Sequence, residues 1–226
     1  MSTRIEPTTP APSPVPGQGR APGLSGIAGV LAVVAGAALI LLLQFIPPTD
    51  AISPLRRTIS EYGLSTHKWI FDTAVVLVAG GSAVLFAAHV LRRALPPLPA
   101  VAGALWTVSL LVIVAFPKTN WAVGPSVGGV VHRIASVVGF VCLPIGILLA
   151  SRRIFPHSSI WRRMAQGLAV ASLLWFGLVL GAIVVFAAGG GLPWWQAIPL
   201  GLVERGMALT EILTIITLAV PLLRRE

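Results

Sequence analysis

Six apolar stretches, each near the length that crosses a bilayer, constrain this chain more than any other feature. They fall at residues 24–46, 69–91, 98–116, 127–150, 164–188 and 198–223. A helix needs about 20 apolar residues to span the hydrocarbon core. Composition agrees. The 226 residues are 56% hydrophobic and 10% charged, whereas a soluble domain carries about 25% charged residues. The expected fold is all-α: a polytopic transmembrane bundle of six helices over residues 24–226. Ahead of it, residues 1–23 hold Pro7, Pro10, Pro12, Pro14, Pro16 and Pro22 among Ser, Thr, Gly and Ala. Such a segment has too little apolar surface to offset its ordering entropy, so it reads as a disordered cytoplasmic tail and not as a signal peptide.

The net charge of +9 invites a nucleic-acid reading, which needs basic residues gathered on one solvated face. Here they lie as arginine pairs between apolar runs. Arg4, Arg20, Arg92, Arg93, Arg152, Arg153, Arg162, Arg163, Arg224 and Arg225 fall on one side of the expected bundle. Arg56, Arg57, Lys68 and Lys118 fall on the other. The basic excess marks the cytoplasmic side, so both termini are expected inside a plasma or inner membrane. Trp69, Trp121, Trp194 and Trp195 fall at the outer ends of helices, the level amphipathic rings prefer. The arginine pairs after helix two and between helices four and five read as topology markers. His89, beside Arg92 and Arg93, reads as interfacial, and His157 as solvated. The only cysteine, Cys142, lies in an apolar run, which excludes a disulfide framework.

A few ionisable side chains sit where lipid should exclude them, and each needs a partner. The second helix carries Asp72, the fourth His132 and Arg133, and the sixth Glu204, Arg205 and Glu211. At 1.5 Å per residue, Asp72 lies about 5 Å below the outer end of its helix and His132, Arg133, Glu204 and Arg205 roughly 8–10 Å below theirs. Glu211 comes out at roughly 20 Å, near mid-membrane. Glu204 and Glu211 share a face by their spacing of seven, and His132 and Ser136 by their spacing of four. The first outer loop adds Ser60 and Glu61, in a short re-entrant turn for which Gly63 is expected to supply an unusual backbone angle. Helices one and five hold no ionisable residue and read as plain packing or lipid-facing helices.

This polar layer has two readings. In one, Arg133 and Arg205 pair with Asp72, Glu204 or Glu61 and simply fasten helices together. In the other, the layer is an outward-facing pocket for a lipid headgroup or a small anion, with membrane lipids as partners. Its binding candidates are Ser60, Asp72, Arg133, Arg205 and Glu211. If the pocket performs chemistry, His132 is the general acid or base, Glu61 or Glu204 orients it, and the two arginines hold the anionic group. Glu211 also suits a small proton-coupled carrier, and a non-catalytic scaffold is the remaining class. No cofactor is expected. His89 and His132 differ in depth by roughly 20 Å and cannot share a haem iron. His67, Asp72 and His132 lack the spacing of a zinc signature. Gly189-Gly190-Gly191 lacks the lysine and helix of a phosphate loop.

Ile59-Ser60-Glu61-Tyr62-Gly63 followed by Trp69-Ile70-Phe71-Asp72 resembles the Ile-Ser-Asp-Leu-Gly … Phe-Asn pattern of domain-of-unknown-function family 998. Phe116-Pro117 resembles that family's Phe-Pro motif, and His132, Ala135 and Phe140 its His-bearing helix. The resemblance covers roughly residues 24–223, with Glu61, Tyr62 and Asp72 standing where the family has Asp, Leu and Asn. It implies a bacterial or archaeal six-helix membrane protein and no particular reaction. A remoter similarity, to eukaryotic autophagy-modulator and glycosyl-phosphatidylinositol-remodelling membrane proteins, implies lipid handling.

Overall fold

A helix satisfies its own backbone hydrogen bonds, which is what allows a chain to lie in lipid. The computed structural model forms helices from all six apolar stretches. It describes residues 23–189 and 193–223, so the expected tail, apart from Gly23, lies outside the described residues. The helices are α1 (Leu24–Leu42), α2 (Lys68–Leu91), α3 (Pro97–Ala115), α4 (Val127–Ile154), α5 (Ser159–Gly189), a short α6 (Trp194–Ala197) and α7 (Leu200–Leu223). Two 3-10 turns, Thr49–Ala51 and Ile59–Leu64, lie in the long α1–α2 loop. Among the described residues there is no strand. Helices α1 to α5 and α7 are each long and apolar enough to cross a membrane, and the chain is a multi-pass membrane protein.

Local chemistry sets the helix ends. Pro97 opens α3, where a missing N–H costs nothing. Ser126 caps α4 by accepting the Gly129 N–H at 3.0 Å. The α4–α5 connection is shorter than expected, because α4 continues through Pro144 to Ile154 and α5 starts at Ser159. Arg152, Arg153, Arg162 and Arg163 therefore lie on helices and not in the loop between them. Arginine is a good helix former, so a basic pair does not stop a helix.

Successive helices pack side by side, and α7 closes the ring between α5 and α1. The α1–α2 seam is the tightest. A Cβ added to Gly81 would lie 2.6 Å from the Gly29 carbonyl oxygen and 3.0 Å from the Val33 nitrogen, and one added to Gly36 would lie 2.8 Å from Val78. Small residues let two backbones meet at this range where no hydrophobic effect drives helices together.

The core is concentrated in the half of the bundle that bears the arginine pairs. There Leu85, Leu143, Ile147, Ile215, Leu218 and Leu222 are almost fully buried. His89, expected at the membrane surface near the end of α2, turns inward to this core: it is 2% exposed, and its Nε2–H donates to the Leu218 carbonyl at 2.8 Å. It lies four residues after buried Leu85, on the inward face of α2, and a ring whose N–H meets a carbonyl can be buried. At the opposite end, which carries the α1–α2 loop, a second cluster of Leu43, Tyr62, Ile70 and Phe71 plugs the bundle.

The close seam gives a direct test. Gly81→Ala should cost about 1–3 kcal/mol through overpacking and lower the melting temperature in detergent. Gly80→Ala, whose added Cβ would meet nothing within 4 Å, should leave it unchanged or slightly raised.

Candidate functional site

The loop half of the bundle encloses a cavity of about 550 Å³. Its shape follows from how α1 and α7 meet. At the arginine-bearing end Gly26 lies against Leu222 and Leu223. Towards the loops, Ala37 and Leu41 of α1 and Ala208 and Leu209 of α7 line the cavity. Leu41 and Leu209, on the two sides of the α1–α7 seam, line the cavity and are 55% and 59% exposed, so the cavity is open along that seam. Most of the wall is apolar. Its polar groups form two levels: Gln44, Ser60, His132, Glu204 and Arg205 near the loops, with Ser136 and Glu211 deeper. Glu211 lies seven residues, or roughly 10 Å of helix, below Glu204.

His132 is 5% exposed and its Nδ1–H donates to the Phe116 carbonyl at 2.8 Å. Phe116 follows the last residue of α3, and Pro117, having no N–H, cannot continue that helix. The terminal carbonyl therefore lacks a helical donor and takes the imidazole instead. In the neutral ring this leaves the lone pair on Nε2. Neither Glu61 nor Glu204 orients His132, contrary to expectation, because both carboxylates have other partners. Glu204 Oε2 accepts the Ile59 N–H at 2.8 Å, and Glu61 is held by Lys118, with Arg57 at 3.9 Å.

Arg205 lines the cavity, but its fork does not wait for an anion. Nη1 donates to the carbonyls of Pro54 at 2.9 Å, Arg57 at 2.8 Å and Gly201 at 3.2 Å. Nη2 donates to the Tyr62 hydroxyl at 3.1 Å. Gly201 admits this loop, since a Cβ there would stand 2.6 Å from the Pro54 oxygen. Nor does either intramembrane arginine pair with an acid. The ion pairs among the described residues join Glu61 to Arg57 and Lys118, and Asp72 to Lys68.

Two expected ligand residues fall outside the cavity. Arg133 is exposed on the outer face of α4, about 100° around the helix from His132. Asp72 is half-buried, absent from the cavity wall and paired with Lys68 one turn earlier, although its neighbour Phe71 is in the wall. Glu61 is likewise off the wall. Ser60 and Glu211 are in it. Glu211 is 1% exposed and accepts one hydrogen bond, from Ser172 Oγ of α5 at 3.1 Å, while its Oε2 has no partner. Ser172 escaped the sequence reading because α5 holds no intramembrane charge. Lys118, counted above only as a marker of sidedness, also bonds Thr58 Oγ1 at 3.0 Å. Its position just after Phe116-Pro117 was the available clue. Gly63 does not take a left-handed angle. It serves by its size, because a Cβ there would stand 3.1 Å from the Phe71 ring.

The two arginines should therefore behave oppositely. Arg205→Lys leaves loop carbonyls short of donors and should cost about 1–3 kcal/mol, with faster limited proteolysis between residues 53 and 62. Arg133→Lys should change neither melting nor proteolysis.

No curated protein and no solved structure matches the chain, which leaves the remoter likeness to eukaryotic lipid-remodelling proteins without support. A family model described as protein of unknown function DUF998 matches residues 27–221. That match runs from the first turn of α1 almost to the end of α7 and includes the Ser60, Phe116-Pro117 and His132 segments that build the cavity's polar end; the chain belongs to the DUF998 family.

Proposed function

We propose that this protein binds a membrane amphiphile in the α1–α7 cavity. The polar part of the ligand lies against Gln44, Ser60, His132 and Glu204, and its apolar part lies along Ala37, Leu41, Leu209 and Ile212. The observation that carries this reading is the two-part wall with a sideways opening. A mostly apolar pocket with a few convergent polar groups suits a ligand of the same build. Lipid reaches a lateral seam directly, while a water-soluble solute would have to pass the loop cluster. With the arginine-rich end in the cytoplasm, by the positive-inside bias, the polar level lies in the outer leaflet of a plasma or inner membrane.

Chemistry on the ligand would begin at His132 Nε2, a proton acceptor held in place by the Phe116 carbonyl. A second reading, a small proton-coupled carrier, is favoured by one feature: Glu211 is a carboxyl deep in α7 with one oxygen unpartnered.

Native mass spectrometry of gently extracted protein tests the binding. The wild type should retain a lipid, and Ala208→Trp, which fills the cavity from α7, should lose most of it at an unchanged melting temperature. Folded wild-type protein that carries no lipid would sink the proposal. Proton flux into proteoliposomes, abolished by Glu211→Gln, would favour the carrier. If His132→Ala and Glu211→Gln lower stability alone, the charges are structural and the chain is a scaffold.

A further inference from the structure

We infer that the amphiphile carries a hydrogen-bond-donating cationic group, an ammonium, in place of a phosphate or carboxylate. This rests on the cavity-binding reading above and narrows the chemistry of its ligand. The argument is a census of which groups in the wall are already engaged. The charged donors that suit an anion are committed, which leaves the neutral amide of Gln44 as the free side-chain donor at the polar end of the wall. Both terminal nitrogens of Arg205 bind loop carbonyls and the Tyr62 hydroxyl, so the guanidinium plane is fixed towards the loop. Lys118 is held by Thr58 and Glu61. Arg133 faces outward.

The acceptors remain. His132 Nε2 presents a lone pair, because Nδ1 carries the proton given to Phe116. Glu204 takes the Ile59 N–H on one oxygen and has the Ser60 N–H, Lys118 and Arg205 nearby, so it is the less free of the two carboxyls, though a carboxylate has acceptor capacity beyond one bond. Glu211 is the strongest of the three. It is nine-tenths buried and more, held by one neutral hydroxyl, with Oε2 unpartnered, and no basic side chain among the described residues pairs with it. Arg205 Nε is also buried without a partner, but its four neighbouring bonds keep it in place, whereas a single bond leaves the Glu211 carboxyl free to turn. The wall thus sets two carboxylates against one committed guanidinium. A buried carboxyl whose oxygens lack partners is costly, and an ammonium brings both the missing N–H donors and the charge that favours a carboxylate. An ionised phosphate offers no donor to Glu211 Oε2 and finds the Arg205 fork already committed to the loop.

The test uses full-length protein in lipid nanodiscs and native mass spectrometry with two probes of equal chain length, dodecylamine and dodecyl phosphate. Dodecylamine should be retained about tenfold or more over dodecyl phosphate, the factor expected of one charge-assisted hydrogen bond. Glu211→Gln should largely erase that preference, and Glu204→Gln, which leaves the deep carboxyl intact, should reduce it in part. If Glu211→Gln does not fold, Glu204→Gln and Ser172→Ala carry the comparison. Nanodiscs of phosphatidylethanolamine and of phosphatidylglycerol distinguish the source. Preferential retention of phosphatidylethanolamine identifies a lipid headgroup, and retention of dodecylamine alone identifies a free amphiphilic amine. Dodecyl phosphate bound as well as or better than dodecylamine, and lost in Ala208→Trp, overturns the ammonium assignment while leaving the cavity reading standing. Retention of neither probe, or retention that Ala208→Trp does not reduce, removes both.

Discussion

The polar end of the cavity depends on one constraint, the fastening of the long α1–α2 loop to a transmembrane helix. Arg205 ties the carbonyls of Pro54 and Arg57 and the Tyr62 hydroxyl to α7, Glu204 takes the Ile59 N–H one residue earlier on the same helix, and Leu202 N–H donates to Leu55 at 3.2 Å. Backbone groups from residues 54 to 59 thus meet partners on the first turns of α7. Hydrogen bonds to charged groups are about twice as strong as neutral ones, so the Arg205 guanidinium, with the Glu204 carboxyl beside it, suffices to position a loop that has little regular structure. Intramembrane charges of this kind are neither lipid-facing errors nor a simple ion pair. They are the anchor points of a lid.

That anchoring gives the motif around Ser60 its meaning. Ile59 donates to Glu204, Ser60 enters the cavity wall, Glu61 holds Lys118 from the α3–α4 loop, Tyr62 receives Arg205, and Gly63 makes room for the Phe71 ring of α2. Four of these five consecutive residues dock on three elements, so the segment gathers α2, α7 and the α3–α4 loop around one point. The Phe116-Pro117 stop works the same way, since ending α3 there frees the carbonyl that orients His132. A resemblance built on short, separated motifs is coherent once those motifs converge on one cavity end.

How much of this was legible in the sequence follows from what one-dimensional patterns encode. Apolar run length gives span number and approximate ends, because bilayer thickness fixes helix length. It missed the α4 and α5 ends because arginine continues a helix as readily as it marks one. Depth was also legible, and His132, Glu204, Arg205, Ser60 and Glu211 do reach the cavity wall. Azimuth was not. Arg133 and Asp72 share the depth of His132 and Phe71 but lie one residue away, about 100° round the helix, and that rotation carries them out of the cavity. A helix hydrophobic on nearly all sides, as in lipid, has little amphipathic pattern from which to read its rotation. Partner choice was equally hidden: the acids found lysines and a loop arginine through loop geometry that no spacing rule describes.

The division of the bundle into a filled half and an open half has a physical origin in the residues of α1. Gly29 and Gly36 bring α1 hard against α2, and Gly26 lets it touch the end of α7, so α1 is held on one flank throughout and on the other only at the arginine-bearing end. Nothing comparable draws its loop-side half to α7: Ala37 and Leu41 there face Ala208 and Leu209 across the opening. Closing the gap would push apolar α1 against the partly exposed Glu204, and a carboxyl buried against an alkyl wall loses what solvation it has. Glu204 therefore opposes the collapse of the cavity, and an occupant offering hydrogen-bond donors would stabilise the open form instead of competing with a closed one.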